Sequence, residues 1–329
     1  MADENEISAR PALSAAFNKV AQRTVADFPE LEGRFLLIDL DAGEIHGEPN
    51  MLKTAFSTVE EVEAYINDAA QSAIESGTSS STYSPEHKLS IIFFNSAGQT
   101  SFGGAAVEEA LGIIDHEIGH IVVKGALETS TFSELVYAET AADLYASMSH
   151  ARRNGNDPAA IRTLAFNRAY GLVTRGDEDT QAHFTAFALL ELADMAKTTD
   201  FSKMEPRLAA GMAEMLAQQY ALTEPEVKML ADTFKDYRAK AETGIETALK
   251  YVAQQTLAPD ASPAVERLGG FMLSFYLDGK ISVDGKPVRL AGAEWDDVRA
   301  QLKQKTERPA APAGIILLPQ KSGFKPPAL

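Results

Sequence analysis

Two histidines and a glutamate occur at a spacing that is typical of a catalytic metal site. They are His116, Glu117 and His120, in the stretch Val107–Val123. Residues four apart in an α-helix lie on one side, one turn apart, so the two imidazoles can bind the same ion. Glu117 lies a quarter-turn away, where a carboxylate can act as general base for a metal-activated water. The pattern predicts a zinc-binding active-site helix.

The apolar residues of this stretch are spaced as in an amphipathic helix. They recur three and four apart, at Val107, Leu111, Ile114, Ile118 and Ile121. This spacing gives the helix one apolar side, which we expect to face a core. The two histidines then lie on the opposite side, where an ion and a substrate can reach them.

A second segment can supply a third ligand. Thr131–Glu134 has the sequence of a capping box, which predicts the start of a helix that Asn154–Gly155 would end. In that helix Glu139 and Asp143 share one face, one turn apart, and we expect this face to point away from the core. The chain between His120 and Glu139 is long enough to turn and bring a carboxylate back to the ion. Three protein ligands leave a fourth position for water.

Together these two segments resemble the gluzincin branch of zinc metallopeptidases, the thermolysin-like and aminopeptidase-like group. The resemblance covers about residues 88 to 150. It implies one Zn2+ ion held by three protein ligands, His116, His120 and Glu139. It also implies that Glu117 is the general base and that Asp143 orients a ligand histidine. The role of Asp143 has a chemical reason as well, since a ligating imidazole usually donates its other N–H to a carboxylate.

The resemblance implies a zinc-dependent peptidase, with a peptide or protein as its substrate. The rival metzincin pattern needs glycine at position 123 and histidine at position 126, where this chain has Val123 and Ala126. Two other interpretations remain open at this point. The histidines and carboxylates are ordinary polar residues on two helices, or the zincin fold binds its metal as a regulatory or protein-interaction module without proteolysis.

A further histidine is a candidate for stabilising the oxyanion of the reaction. A gluzincin site usually adds a His or Tyr donor from its helical lobe. His183, in Asp177–Thr185, is placed by the pattern at the start of a helix in that lobe, with helix capping or core packing as the alternative role. His150 shares the face of Glu139 and Asp143, but eleven residues of helix put it about 16 Å from Glu139, too far to reach the same ion.

The predicted fold class is α+β and mainly helical, a zincin-like two-lobed catalytic domain with a small N-terminal sheet and a helical C-terminal lobe. Residues 1–124 would form the N-terminal α+β lobe, including the active-site helix, and 125–305 the helical lobe, with the third zinc ligand and a C-terminal hairpin. Residues 306–329 form a Pro/Ala-rich tail. Its apolar run Ile315–Leu318 needs burial, either by packing across the lobes or by occupying the cleft as an inhibitory pseudo-substrate.

Periodicity and turn residues predict the individual elements. The predicted helices cover about 8–27, 57–75, 157–169, 179–197, 201–221, 224–256, 262–275 and 293–305. The predicted strands cover 34–40, a hairpin partner at 44–47, 89–94, and a hairpin formed by 280–283 and 287–290. His46 is interpreted as a surface strand residue and 77–82 as a flexible polar loop. Residues 95–98 are either an edge strand that pairs with substrate or a simple loop.

Composition excludes several classes of partner. The net charge of −17 argues against nucleic acid, and the absence of cysteine leaves only His and carboxylate ligands for zinc. No apolar run reaches the 18 or more residues of a membrane span, so no integral membrane association is expected. The acidic start, Met1–Ile7, lacks the pattern of an export signal. This favours the cytoplasm, or the periplasm or the outside of the cell for a chain whose signal has been removed.

Overall fold

The computed structural model describes residues 4–47, 58–95, 106–127, 129–283, 286–288 and 290–307. The helices are α1 Glu4–Asp27, α2 Val59–Ser76, α3 Ala106–Val122, α4 Phe132–Asn154, α5 Pro158–Thr174, α6 Glu178–Ala182, α7 Ala186–Met195, α8 Pro206–Tyr220, α9 Glu224–Phe234, α10 Tyr237–Thr243, α11 Ile245–Leu257, α12 Pro263–Leu277 and α13 Ala293–Glu307. The strands are β1 Phe35–Asp39, β2 Glu44–Gly47, β3 Ser80–Ser84, β4 Leu89–Phe94, β5 Ser282–Val283 and β6 Lys286–Pro287. The predicted α+β, mainly helical class is confirmed.

The chain divides into two compact units between residues 235 and 236. The first contains β1–β4 and α1–α9, and the second contains α10–α13 with the two-stranded sheet of β5 and β6. The predicted lobe boundary at 124 falls within the first unit, between α3 and α4. The predicted zincin-like lobes would therefore both lie within the first unit. Their existence stays a prediction.

The four-stranded sheet has the order β2-β1-β4-β3. The central strands β1 and β4 are parallel, and the outer strands β2 and β3 are antiparallel to their neighbours. Both central strands are buried along their whole length, as expected for apolar runs covered on two faces. Leu36 and Ile91 pack with Ala70 and Ala73 of α2 on one face, while Phe17 of α1 packs edge-on against Phe94.

The interpretation of residues 77–82 as a flexible loop is wrong for its second half, because residues 80–82 belong to strand β3. Its serine and threonine side chains tolerate extended backbone, and the strongly apolar strand β4 offers a full row of hydrogen-bonding partners. Ser79 adds to this pairing, since its Oγ accepts from the backbone N of Asn95 at 2.9 Å. The edge of the sheet beside α3 is therefore β3. Of the predicted edge 95–98, residues 96–98 lie outside the described part of the chain.

The interpretation of His46 as a surface residue is also wrong. In its strand, β2, Ile45 is exposed and the next residue, His46, is buried at 2% exposure, because successive side chains point to opposite faces of the sheet. The imidazole packs edge-on against Phe17 of α1, with ring centroids 5.6 Å apart. Helix α1 covers this face of the sheet, and the covering helix could not be placed from the strand pattern alone.

Several predicted helices start or break elsewhere. The capping box of α2 is formed by Thr58 and Glu61, one residue later than predicted. The predicted helix 179–197 is interrupted after α6, and 224–256 is divided into α9, α10 and α11. The stretch 201–221 begins as a 3-10 helix, Phe201–Lys203, before α8. The helix near 293–305 and the pairing of β5 with β6 are confirmed, while the hairpin turn at 284–285 and the tail from 308 lie outside the described residues.

Across the described ranges, no helix is both long enough and apolar enough to cross a membrane.

Candidate metal centre

Helix α3 presents both histidines of the motif to a cleft. Its buried side is formed mainly by apolar residues, including Leu111, Ile114 and Ile118. His116 and His120 lie on the other side, with side chains 13% and 12% exposed. The helix therefore has the orientation that its apolar spacing predicts.

The backbones of α3 and α4 touch next to the histidines. A Cβ built on Gly119 would lie 2.7 Å from the Cα of Ala142, closer than real Cβ contacts allow. Only glycine permits this approach. The contact brings Glu139, one turn before Ala142, over the histidines of α3.

Helix α4 is buried on nearly every side, and this corrects the expectation that Glu139 and Asp143 face away from the core. Glu139 is 6% exposed and Asp143 is 1% exposed. Buried carboxylates require partners, and both have them in the interior. The predicted ends of this helix are confirmed, since Thr131 and Glu134 form the capping box and Gly155 is the C-cap.

Three side-chain ligand atoms converge at one point. The Nε2 atoms of His116 and His120 lie 3.2 Å apart, while Glu139 Oε2 lies 3.1 Å from His116 Nε2 and Glu139 Oε1 lies 3.6 Å from His120 Nε2. Among the described residues these three form the one group whose ligand atoms all lie within 4.8 Å of one another. Their side chains match the nitrogen and oxygen ligands that zinc takes.

The hydrogen bonds of the ring Nδ1 atoms decide which nitrogen of each imidazole points inward. His116 Nδ1 lies 2.8 Å from Asp143 Oδ1, and His120 Nδ1 lies 2.7 Å from the carbonyl oxygen of Ala126. Both acceptors require a proton on Nδ1, so in the neutral rings the Nε2 lone pairs face each other and Glu139. This arrangement is repulsive unless a positive charge occupies its centre.

The pKa values of the cluster also indicate that it needs a positive charge at its centre. Burial lowers the pKa of His116, but the neighbouring carboxylates of Asp143 and Glu139 outweigh it and raise the pKa to about 10. Burial raises the pKa of Glu139, but His183, His120 and His116 hold it well below its usual range. Glu139 Oε2 nevertheless accepts no hydrogen bond among the described residues. A divalent cation would satisfy this buried oxygen and replace the proton, so the residues present fit a metal ion.

Asp143 is held by a complete set of donors. Besides His116, Arg168 of α5 donates from Nη2 to Oδ1 and from Nε to Oδ2, both at 2.7 Å. The hydroxyl of Thr185 donates to Oδ2 at 2.6 Å. Burial raises the pKa of Asp143, but the Arg168 guanidinium and the bond with His116 keep it well below its usual range. Asp143 is therefore a fixed carboxylate that sets the orientation of His116.

Glu117 has a different environment from the other two carboxylates. It is 7% exposed, lines the cleft beside His116, and forms neither a hydrogen bond nor an ion pair with any described residue. A carboxylate without a partner among these residues is available to a water or a substrate in the cleft. This is the environment that a general base needs.

His183 reaches the site from a third direction. It is the C-cap of α6, in the break before α7, which corrects its predicted place at the start of a helix. Its Nε2 lies 3.1 Å from Glu139 Oε2, and its ring stacks on His116 with centroids 6.5 Å apart. Its Nδ1 lies 2.8 Å from the carbonyl oxygen of Asp179. His150 lies 3.2 Å from Asn154 near the end of α4 and does not line the cleft.

The cleft over these residues has a volume of about 1130 Å³. Residues 77–81, at the start of β3, line one side, and α5 lines another with Arg168, Tyr170 and Thr174. The site therefore lies at the bottom of an open groove between the edge of the sheet and a helical wall.

Sequence reasoning missed three groups that support the ligands: Arg168, Thr185 and the carbonyl oxygen of Ala126. No motif marks Arg168 or Thr185, because each reaches Asp143 only through the tertiary packing of α5 and α7 against α4. The sequence does carry a signal for the third group, because Lys124-Gly125 is a turn sequence just after the helix of His120 and a turn exposes carbonyl oxygens to a nearby ring.

No protein-family model, curated protein or solved structure matches this chain.

Proposed function

We propose that this chain is a zinc-dependent peptidase of the gluzincin type, hydrolysing peptide bonds. The observation that carries the proposal is the convergence of His116, His120 and Glu139 beside Glu117, a carboxylate without a partner among the described residues, in one open cleft. The ligand set supports zinc, because two imidazoles and one carboxylate are a common catalytic zinc site that leaves a position open. The chain contains no cysteine that could form a competing thiolate site.

The bound ion would supply a Lewis acid that polarises the scissile carbonyl and lowers the pKa of a water. The protein residues would do the rest. Glu117 accepts the proton of the attacking water on its carboxylate and delivers it to the nitrogen of the leaving amine. Asp143 keeps the proton of His116 on Nδ1, so that Nε2 remains a ligand.

His183 is proposed as the donor that stabilises the oxyanion. Its position supports this role, since it lies at the rim of the ligand set, lines the cleft and is 32% exposed. Burial lowers its pKa, but the charge of Glu139 and the hydrogen bond to Asp179 outweigh this and raise the pKa. A protonated imidazole at this rim can donate a hydrogen bond to a developing negative charge.

Strand β3 suggests how a peptide would be held. It pairs with β4 on one side and is an outer strand of the sheet, and its first residues, Ser80 and Ser81, line the cleft. An extended peptide could add to this edge by main-chain hydrogen bonds. At the cleft this edge carries the small side chains of Ser80 and Ser81, which leave space for a substrate backbone. We therefore infer a zincin-like arrangement in which β3 takes the role predicted for residues 95–98.

Digestion of a peptide library tests this function. We expect the purified protein to generate new peptide termini, to lose this activity with a zinc chelator, and to regain it when zinc is restored. A protein that binds one zinc ion per chain and cleaves no peptide would contradict the peptidase proposal. That outcome would favour the alternative of a zincin-fold module that binds metal without proteolysis.

A further inference from the structure

The short connection between α6 and α7 contacts both buried carboxylates of α4. His183, at its start, lies 3.1 Å from Glu139, and Thr185, at its end, donates to Asp143 at 2.6 Å. Phe184 between them is 2% exposed and packs edge-on against Phe187 of α7. The connection is therefore anchored in the core and holds two polar side chains against the site.

Thr185 does not make the hydrogen bond that its position in the helix would favour. It is the N-cap of α7, where a threonine hydroxyl ordinarily accepts from a backbone N–H of the first turn. Its side chain makes no such capping bond. The hydroxyl donates to Asp143 Oδ2 instead, and the residue is 2% exposed. The Thr185 side chain therefore does not cap α7 and instead contacts Asp143, the carboxylate that orients His116.

The hydrogen-bond inventory of Asp143 shows what Thr185 adds. A carboxylate has about four acceptor positions, two on each oxygen. Oδ1 accepts from His116 and Arg168, and Oδ2 accepts from Arg168 and Thr185. Without Thr185, one buried position of Oδ2 would lack a donor, and the carboxylate would be held by Arg168 and His116 alone, so that it could tilt and move Oδ1 relative to the His116 ring.

We propose that Thr185 is a positioning residue for the metal centre. Its hydroxyl fixes the rotation of the Asp143 carboxylate, Oδ1 then faces His116 Nδ1, and His116 Nε2 faces Glu139. This inference rests on the proposed metal centre, and it assigns part of the ligand geometry to the α6–α7 connection.

Two effects of removing the hydroxyl oppose each other. A less engaged Asp143 would be a stronger base for His116, which favours the metal, but a misaligned imidazole disfavours it. We expect alignment to dominate, because the two hydrogen bonds from Arg168 keep Asp143 ionised with or without Thr185 and its basicity therefore changes little.

The test compares zinc affinities, measured by chelator competition, for the wild type, Thr185→Val and Thr185→Ser. Loss of a group that orients a ligand typically costs 10–100-fold in metal affinity. We expect Thr185→Val, one contact further out, to weaken zinc binding by about 10-fold, and Thr185→Ser to restore most of it. Thr24→Val is the matched control. Thr24 is a buried threonine of α1 whose hydroxyl donates to the backbone of Val20, so its loss should leave zinc affinity unchanged.

An Asp143→Asn background separates positioning from a general effect on folding. If Thr185 acts through Asp143, Thr185→Val should lower zinc affinity in the wild type and change it little in Asp143→Asn. Melting temperatures of the metal-free variants show whether each one is folded. Unchanged or tighter zinc binding in folded Thr185→Val, or an equal loss in both backgrounds, would overturn the inference. A wild type that binds no zinc would instead overturn the metal centre itself.

Discussion

Gly119 and Ala142 are in backbone contact across α3 and α4. A Cβ at position 119 would lie 2.7 Å from the Cα of Ala142 and 3.0 Å from its carbonyl oxygen. Both atoms belong to helical backbone, so a side-chain movement cannot relieve the overlap. The distance between the two helices, and with it the approach of Glu139 to His116 and His120, depends on the absence of a side chain at Gly119.

We therefore expect Gly119→Ala to push the helices apart and disturb the ligand set. Overpacking typically costs about 1–3 kcal/mol, and the higher helix propensity of alanine offsets about 1 kcal/mol of this. Zinc affinity should fall by at least about 10-fold, as for loss of a group that orients a ligand. Gly211→Ala is the matched control, because Gly211 lies in α8 with open space around its Cα and should become slightly more stable. Unchanged zinc affinity in Gly119→Ala would show that the contact does not set the site.

A buried carboxylate next to His116 ties three helices together. Asp115 is 1% exposed and forms ion pairs with Arg23 of α1 and Arg153 of α4. Removing one member of a buried ion pair leaves uncompensated charge, so we expect Asp115→Asn to lower the free energy of unfolding by about 3 kcal/mol. In contrast, Asp194→Asn removes an exposed pair with Lys197 and should cost less than about 1 kcal/mol. Urea unfolding of both variants measures the difference, and similar losses would contradict the structural role of Asp115.

The ligand set could be predicted from the sequence because its geometry is local. His116 and His120 are one helical turn apart, and the capping box at Thr131 fixes where the helix of Glu139 begins. The supporting groups could not be predicted, because they depend on packing between distant elements. Arg168 has no motif. The break at His183–Thr185 interrupts a stretch with helical composition, so the pattern does not predict it. The contacts of this break with Glu139 and Asp143 depend on tertiary packing and could not be predicted either.

The strands of the sheet also divide into those that local sequence predicts and those that depend on distant contacts. Strands β1 and β4 are mainly apolar, and the sequence predicts their ends to within one residue. Strand β3 is polar, and it forms because β4 offers it a complete ladder from Ser80↔Phe93 to Ser84↔Leu89. His46 faces inward because α1 covers that side of β2, a long-range contact that the alternation of the strand cannot reveal.

His46 should make stability depend on pH. Burial lowers its pKa from 6.5, and Glu44 and Asp39 oppose this only in part. The unfolded chain therefore takes up a proton as the pH falls through about 6.5, before the folded protein does, and stability is lost over that range. We expect His46→Leu, which cannot be protonated, to reduce the drop in melting temperature of the metal-free protein between pH 7.5 and pH 5.5. An undiminished drop in the variant would assign the pH dependence to other groups.

His183 should affect turnover more than metal binding. If it donates to the oxyanion, His183→Ala should keep its zinc and lose about 10²-fold in kcat. His150→Ala is the matched control, since His150 does not line the cleft. If His183→Ala instead loses its zinc, the role of His183 would be to hold the ligand Glu139. The His183 Nε2 atom lies 3.1 Å from Glu139 Oε2. Unchanged kcat with zinc retained would remove it from the site.

The central claim is that the ligand set holds zinc while Glu117 performs the proton transfers, and one paired measurement on Glu117→Gln tests it most directly. Glutamine keeps the size of the side chain and removes its basicity, and Glu117 lines the cleft without being one of the converging ligands. Zinc content and peptide cleavage are measured on the same preparations of wild type and variant. We predict one zinc per chain in both proteins and cleavage by the wild type alone. Equal cleavage by Glu117→Gln, or a wild type that contains zinc and cleaves nothing, would contradict the account.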